Sequence, residues 1–119
     1  MRNYSFSKKR RLHKATEFQA VIRFRCTVSG EFLQFCVKPS NLDHPRLGLI
    51  IAKKMERHAI RRNRLKRFLR EVFRKHQQEL DKMDCVFRLQ RSLTQIDSVR
   101  IRQEAEMLIH KLRMKQCCD

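Results

Sequence analysis

Residues 53–74 read KKMERHAIRRNRLKRFLREVFR, a density of cations whose plainest chemical use is to hold phosphate. A guanidinium is a planar fork that donates two parallel hydrogen bonds to a phosphate, while an ammonium such as that of Lys53 or Lys54 adds a compact point charge. With successive residues about 100° apart on a helix, Leu65, Phe68, Leu69, Val72, Phe73 and His76 share one face. Arg67, Arg70 and Arg74 point the opposite way, with Arg64 and Lys66 on the flanks. Arg62 projects toward the apolar edge, Asn63 lies on the cationic side, and Arg61 extends the basic run. Like charges along one helix repel rather than pair. The pattern therefore suits contact with a polyanion better than an ordinary solvated face.

Other chemistries find less support. His13, His44, His58, His76 and His110 form no recognised ligand spacing with Asp or Glu, and no pair of carboxylates suits two-metal hydrolysis. Asp81 and Asp84 fit a turn before a strand. Cys26, Cys36, Cys85, Cys117 and Cys118 are odd in number, two are adjacent, and none makes a C-x-x-C spacing. That argues against a zinc cage and against a disulfide framework. Cys36 and Cys85 fall in strand-like runs as small buried fillers, and a reducing cytoplasm fits such thiols. No metal site is expected in the protein.

The elements that must position the basic run follow from composition and period. A chain of 119 residues suggests one domain, with residues 1–11 a flexible basic arm and 114–119 a flexible tail. Against 12 Asp and Glu stand 29 Lys and Arg, a net charge of +17. Self-repulsion of that size implies a dense anionic partner: nucleic acid, an anionic membrane surface or an acidic protein. Insertion into a membrane is not expected, because the apolar run at 49–52 is far shorter than the roughly 20 residues a span needs. A secretory leader is not expected either.

A first helix is predicted at 15–24, with Thr16 and Gln19 spaced as a capping box and Phe18, Val21 and Ile22 as its stripe. Residues 31–38 alternate as a strand: Leu33, Phe35 and Val37 on one face, Phe32, Gln34, Cys36 and Lys38 on the other. A central strand at 46–53 sets Leu47, Leu49 and Ile51 against Gly48, Ile50 and Ala52. The basic helix at 59–79, a strand at 84–90 and a helix at 98–113 complete an α-β-β-α-β-α order. This is an α+β sandwich with a mostly antiparallel sheet. Gly30 fits a turn, with room for a short strand before it at 25–28.

Arg46-Leu47-Gly48-Leu49, Lys53-Lys54 and Arg62-Asn63-Arg64-Leu65-Lys66-Arg67, followed by Arg70-Glu71, resemble the signature of the bacterial ribonuclease P protein family. Arg11-Leu12 and Glu17-Phe18 match in order, so the resemblance spans about residues 8–112. It implies a left-handed β-α-β crossover, against the usual hand. It also implies a subunit that binds a catalytic RNA and the 5′ leader of precursor tRNA, with Mg2+ held mainly by RNA. By this resemblance Lys53, Lys54, Arg61, Arg62, Asn63, Arg64, Lys66, Arg67, Arg70 and Arg74 contact the RNA subunit. Phe18, Ile22, Phe32, Gln34, Cys36, Lys38, Ile50 and Arg88 line a leader groove. Pattern alone would put Phe18 in the core. The chain departs from the family at Ile22 and Cys36, where aromatics are common, and at Arg88-Leu89-Gln90. No obligate protein partner is expected. The competing expectations are a non-catalytic ribosomal-type RNA-binding protein and a helix-turn-helix DNA binder, the latter opposed by the strand at 46–53.

Overall fold

The computed structural model describes residues 10–80, 82–92 and 98–114. Its elements are α1 (Ala15–Phe24), β1 (Cys26–Ser29), β2 (Leu33–Pro39), β3 (Arg46–Ile50), α2 (Ala59–Lys75), β4 (Met83–Leu89) and α3 (Ser98–Met114). The sheet order is β1-β2-β4-β3; β1–β2 and β2–β4 are antiparallel and β3–β4 parallel, joined through α2. The α+β class and helix order match expectation, and β1 is a full strand. Residues 1–9, Asp81, Asp97 and the Cys117-Cys118 tail lie outside the described residues.

Alternation along the strands splits the sheet into two unequal faces. On one, Leu33, Phe35, Val37, Leu47, Cys85, Phe87 and Leu89 bury against Leu65, Leu69, Val72 and Phe73 of α2 and Ile101, Ala105, Leu108 and Leu112 of α3. Phe35 and Phe87 are register partners with ring centroids 4.4 Å apart. Each such buried side chain contributes about 1.5–3 kcal/mol. A like-charge pair one turn apart on a helix opposes by only a few tenths. The apolar stripe of α2 therefore outweighs the repulsion among its cations. The other face carries a smaller core of Leu12, Val21, Cys36 and Val86, with Phe18 and Ile50 packed against it.

Several expectations are corrected. Strand β3 stops at Ile50, and Lys53 and Lys54 lie in a following turn. Phe68 is only half-buried and outside both cores. The capping box of α1 uses the Glu17 carboxylate, which accepts from the Lys14 amide at 2.9 Å, in place of Thr16 and Gln19. An anionic acceptor so near a helix start also meets the positive end of the macrodipole. Asp84 shapes no turn: it lies inside β4, buried. The turn before β4 instead contains Lys82 in left-handed backbone, φ 60. Cys36 and Cys85 are free and buried. At the β1–β2 turn, buried Glu104 of α3 accepts from the Phe32 and Leu33 amides at 2.8 and 2.7 Å. It passes so close to Gly30 that an added Cβ would sit 2.8 Å from its carboxyl group.

Helix α2 ends at Lys75 rather than 79 because His76 caps it and ties it to α3. Its amide donates to the Val72 and Phe73 carbonyls at 3.2 and 3.1 Å. Its ring faces two carboxylates, Nδ1 to Glu79 and Nε2 to Glu106 at 3.3 Å. Burial pushes the imidazole pKa down, but Glu79 and Glu106 outweigh it and raise His76 above its ordinary value. A raised pKa stabilises the fold fully below about 6.5, and that contribution disappears as pH rises through the folded value. The stability difference between wild type and His76→Gln, measured by urea denaturation, is therefore expected to shrink from pH 6 to pH 9; a constant difference would refute the doubly bridged ring.

Candidate nucleic-acid interface

Helix α2 presents its cations largely uncommitted. Arg61, Asn63, Arg64 and Arg67 are exposed. Among the described residues, the one Arg or Lys of this helix in an ion pair is Arg74, whose Nε donates to Glu71 at 2.8 Å. Arg62 is turned back, Nη1 donating to the Glu56 and Arg57 carbonyls at 3.1 and 3.0 Å. It clamps the loop before α2 and does not extend the cationic face. Lys53 and Lys54 stand exposed beside that loop.

Lys66 and Arg70 lean over the flank toward β3. With Arg11, His13, Phe18 and Gly48 they line a cavity of about 290 Å³. Burial, and then the Arg11 charge, pushes the Arg70 guanidinium pKa down. Two cations that repel each other around a hollow lined by no carboxylate favour an anion there. Arg11 arrives by pairing with Leu47, and the Leu12 amide donates to the Leu47 carbonyl at 3.0 Å. The end of the arm is thus docked on β3. The basic character of Arg10-Arg11 was legible, but this local bridge left no periodic signal in the sequence.

Phe18 reaches the same hollow from α1. An added Cβ on Gly48 would fall 2.4 Å from Phe18 Cε2, so the ring rests where only glycine leaves room. Its position is fixed by an ion network. Arg46 Nε and Nη2 each donate to Asp84 at 2.8 Å, and Nη1 donates to Glu17 Oε2 at 2.9 Å. Glu17 Oε1 meanwhile accepts from the His13 and Lys14 amides at 2.8 and 2.9 Å. The Lys14 and His13 amides, with Arg46 behind them, hold the Glu17 pKa at about 2.

Of the expected groove residues, Ile22 is half-buried on the Phe18 stripe of α1, and Gln34, Lys38, Ile50 and Arg88 share the sheet face toward α1. Cys36 is closed over as part of the small core, 1% exposed, and offers no surface to a ligand. Phe32 precedes β2 and packs against the main core, with the Arg100 guanidinium 5.4 Å from its ring centroid. The strand begins at Leu33, so alternation does not extend back to Phe32.

A family model described as Ribonuclease P matches residues 6–113. The ribonuclease P protein component of Nitrosomonas eutropha is 52% identical over 110 residues, 91% of each chain. That of Chromobacterium violaceum is 43% identical over 94 residues, 79% of this chain and 78% of the other. The fold is shared with the Staphylococcus aureus RNase P protein, at TM-score 0.78, 23% identity and coverage of 86% of this chain and 94% of that one. It is shared also with the Thermotoga maritima protein, at TM-score 0.70, 24% identity and coverage of 84% and 96%.

A depressed carboxylate pKa contributes stability that is complete above about 4.5 and is lost as pH falls toward 2. The Glu17 side-chain carbon resonance is expected to titrate near pH 2 in wild type and at a higher pH in Arg46→Gln, where the Lys14 and His13 amides still hold it below the ordinary carboxylate value. Titration near 4.5 in the wild type would mean that the network does not hold in solution.

Proposed function

This chain belongs to the ribonuclease P protein family and is a ribonuclease P protein component, and we propose that it binds the catalytic RNA through α2 and the 5′ leader of precursor tRNA along the α1 side of the sheet. One observation carries the division of labour: the uncommitted cations of α2 run, through Lys66 and Arg70, into a hollow floored by Gly48 and walled by Phe18.

Arg61, Asn63, Arg64 and Arg67, with Lys53 and Lys54, grip backbone phosphates of the RNA subunit, releasing the counterions that surround it. Arg74, paired to Glu71, contributes less. Lys66 and Arg70 sit where catalytic RNA and leader meet. The leader stacks a base on the Phe18 ring, while Ile22 and Ile50 give apolar footing and Lys38 and Arg88 add positive charge.

Cleavage of the phosphodiester is carried out on RNA, with Mg2+ on RNA phosphates. The chain's own carboxylates support this assignment: Glu17 and Asp84 are engaged by Arg46, Glu104 by backbone amides, and Glu79 and Glu106 by His76. The protein's part is to bind and orient, in a cytoplasmic ribonucleoprotein.

Arg64→Ala with Arg67→Ala is expected to weaken holoenzyme assembly and reduce its log–log salt slope by about 1.5, at about 0.7–0.9 per lost phosphate contact; an unchanged slope would remove this face from the interface. Phe18→Ala is expected to lower kcat/KM for a long-leader precursor by about fivefold to 150-fold, the equivalent of about 1–3 kcal/mol of stacking. A precursor with a single-nucleotide leader should change little. An equal fall for both substrates would make Phe18 a core residue alone.

A further inference from the structure

One carboxylate stands where charge alone would not put it. Glu56 lies inside the most cationic stretch of the chain, close to Lys53, Lys54 and Arg57, and is 4% exposed. In a surface that binds a polyanion, a negative group at this place weakens the attraction. Its contacts assign it another task. Oε2 accepts from the His58 amide at 3.1 Å. His58 is the N-cap of α2, its own side chain makes no capping bond, and the first turn of the helix holds no acidic residue. A carboxylate there answers both a free amide and the positive end of the helix. Oε1 is buried with no hydrogen-bond partner among the described residues. Such an oxygen would gain by moving out to water, so the segment that carries it must be held.

That segment is held from both sides. The Met55 and Glu56 amides donate to the Ala52 carbonyl at 3.0 and 3.2 Å, closing a turn with Lys53 and Lys54 exposed on it. Met55 packs against the main core. From the helix, Arg62 Nη1 donates to the Glu56 and Arg57 carbonyls at 3.1 and 3.0 Å. Residues 52–58 are thus bracketed between β3 and α2, with the Glu56 carboxylate and the Arg62 guanidinium as the two clasps.

We infer that Glu56 and Arg62 are positioning residues, which fix residues 52–58 in the free protein so that Lys53 and Lys54 meet the RNA subunit already ordered. Two long side chains on a loose loop would lose their freedom on binding; on a fixed loop part of that loss is already taken at folding. This role rests on the reading that the two lysines grip the RNA subunit, and it commits Arg62 to the loop in place of a phosphate.

The test pairs amide exchange in the free protein with holoenzyme assembly. In wild type the His58 amide is expected to be protected. In Glu56→Ala and Arg62→Ala it is expected to exchange at least about tenfold faster, while the Leu65 and Leu69 amides stay protected and report an intact core. An unprotected His58 amide in wild type overturns the assignment with no variant involved. Assembly separates positioning from charge by its sign. Glu56→Ala removes a negative group, which by charge alone tightens RNA binding. Affinity is expected instead to fall by about fivefold to 150-fold, the range for immobilising two such side chains. Glu56→Gln keeps an oxygen for the His58 amide and is expected to bind at least as well as wild type. Unchanged or tighter binding by Glu56→Ala overturns the assignment. Arg62→Ala is expected to weaken assembly over the same range in the wild-type background, but by less than about threefold when Lys53→Ala and Lys54→Ala are already present, because residues acting through one another are not additive. An equal loss in both backgrounds, with the salt slope cut by a further 0.7–0.9 or so, marks Arg62 as a phosphate contact and overturns the assignment. The Lys53→Ala, Lys54→Ala variant by itself separates the two levels. Assembly indifferent to it defeats the reading of the lysines; weakened assembly with an unprotected His58 amide in wild type defeats only the bracket.

Discussion

Arg46 joins the three parts of this molecule that must stay in register for either surface to exist. Its fork closes on Asp84, its partner across the parallel β3–β4 pair, and its remaining nitrogen reaches Glu17 on α1. Glu17 in turn gathers the His13 and Lys14 amides, next to the segment in which Arg11 and Leu12 pair with β3. These contacts are charge-assisted and partly buried, and the loss of one partner would strand the charges it leaves behind. Without Arg46, α1 would rest on the sheet by the small core and the Leu12–Leu47 backbone bond that precedes the helix.

The two faces of the sheet divide stability from recognition. The face toward α2 and α3 is a continuous apolar layer that can hold a strongly basic helix in place. The face toward α1 carries only the small core of Leu12, Val21, Cys36 and Val86 and leaves its margins open. A thin core cannot orient a helix by packing alone, because hydrophobic contact is not directional. An ion network supplies the direction. A shallow, partly polar surface then remains for a flexible strand.

Charge follows the same division. Carboxylates are few, and those on Glu17, Asp84, Glu104, Glu79 and Glu106 go to fixing elements against one another. Much of the +17 net charge is therefore not cancelled locally along α2 and around the hollow. Beside the hollow, burial and then the Arg11 charge push the Arg70 guanidinium pKa down, and an anion placed there would oppose that shift.

The sequence by itself determined the elements and the cationic character of α2, because side-chain period is set by backbone geometry within a few residues. The stripe from Leu65 to Phe73 and the alternation of Leu33, Phe35 and Val37 report helix and strand directly, and the Arg-Asn-Arg run announces phosphate. Tertiary structure decided which residues meet. Asp84 looked like a turn former until register set it opposite Arg46, 38 positions away. Phe32 looked like a groove aromatic until β2 began two residues later than expected, at Leu33, which released it to the main core. Cys36 lay on the correct face, yet α1 closes over it. Lys66 and Arg70 belong to the helix by period, but only the approach of β3, α1 and the docked arm turns them toward Phe18. Periodicity fixes the face a side chain occupies; what covers that face depends on pairings between segments distant in the chain, which no local pattern encodes.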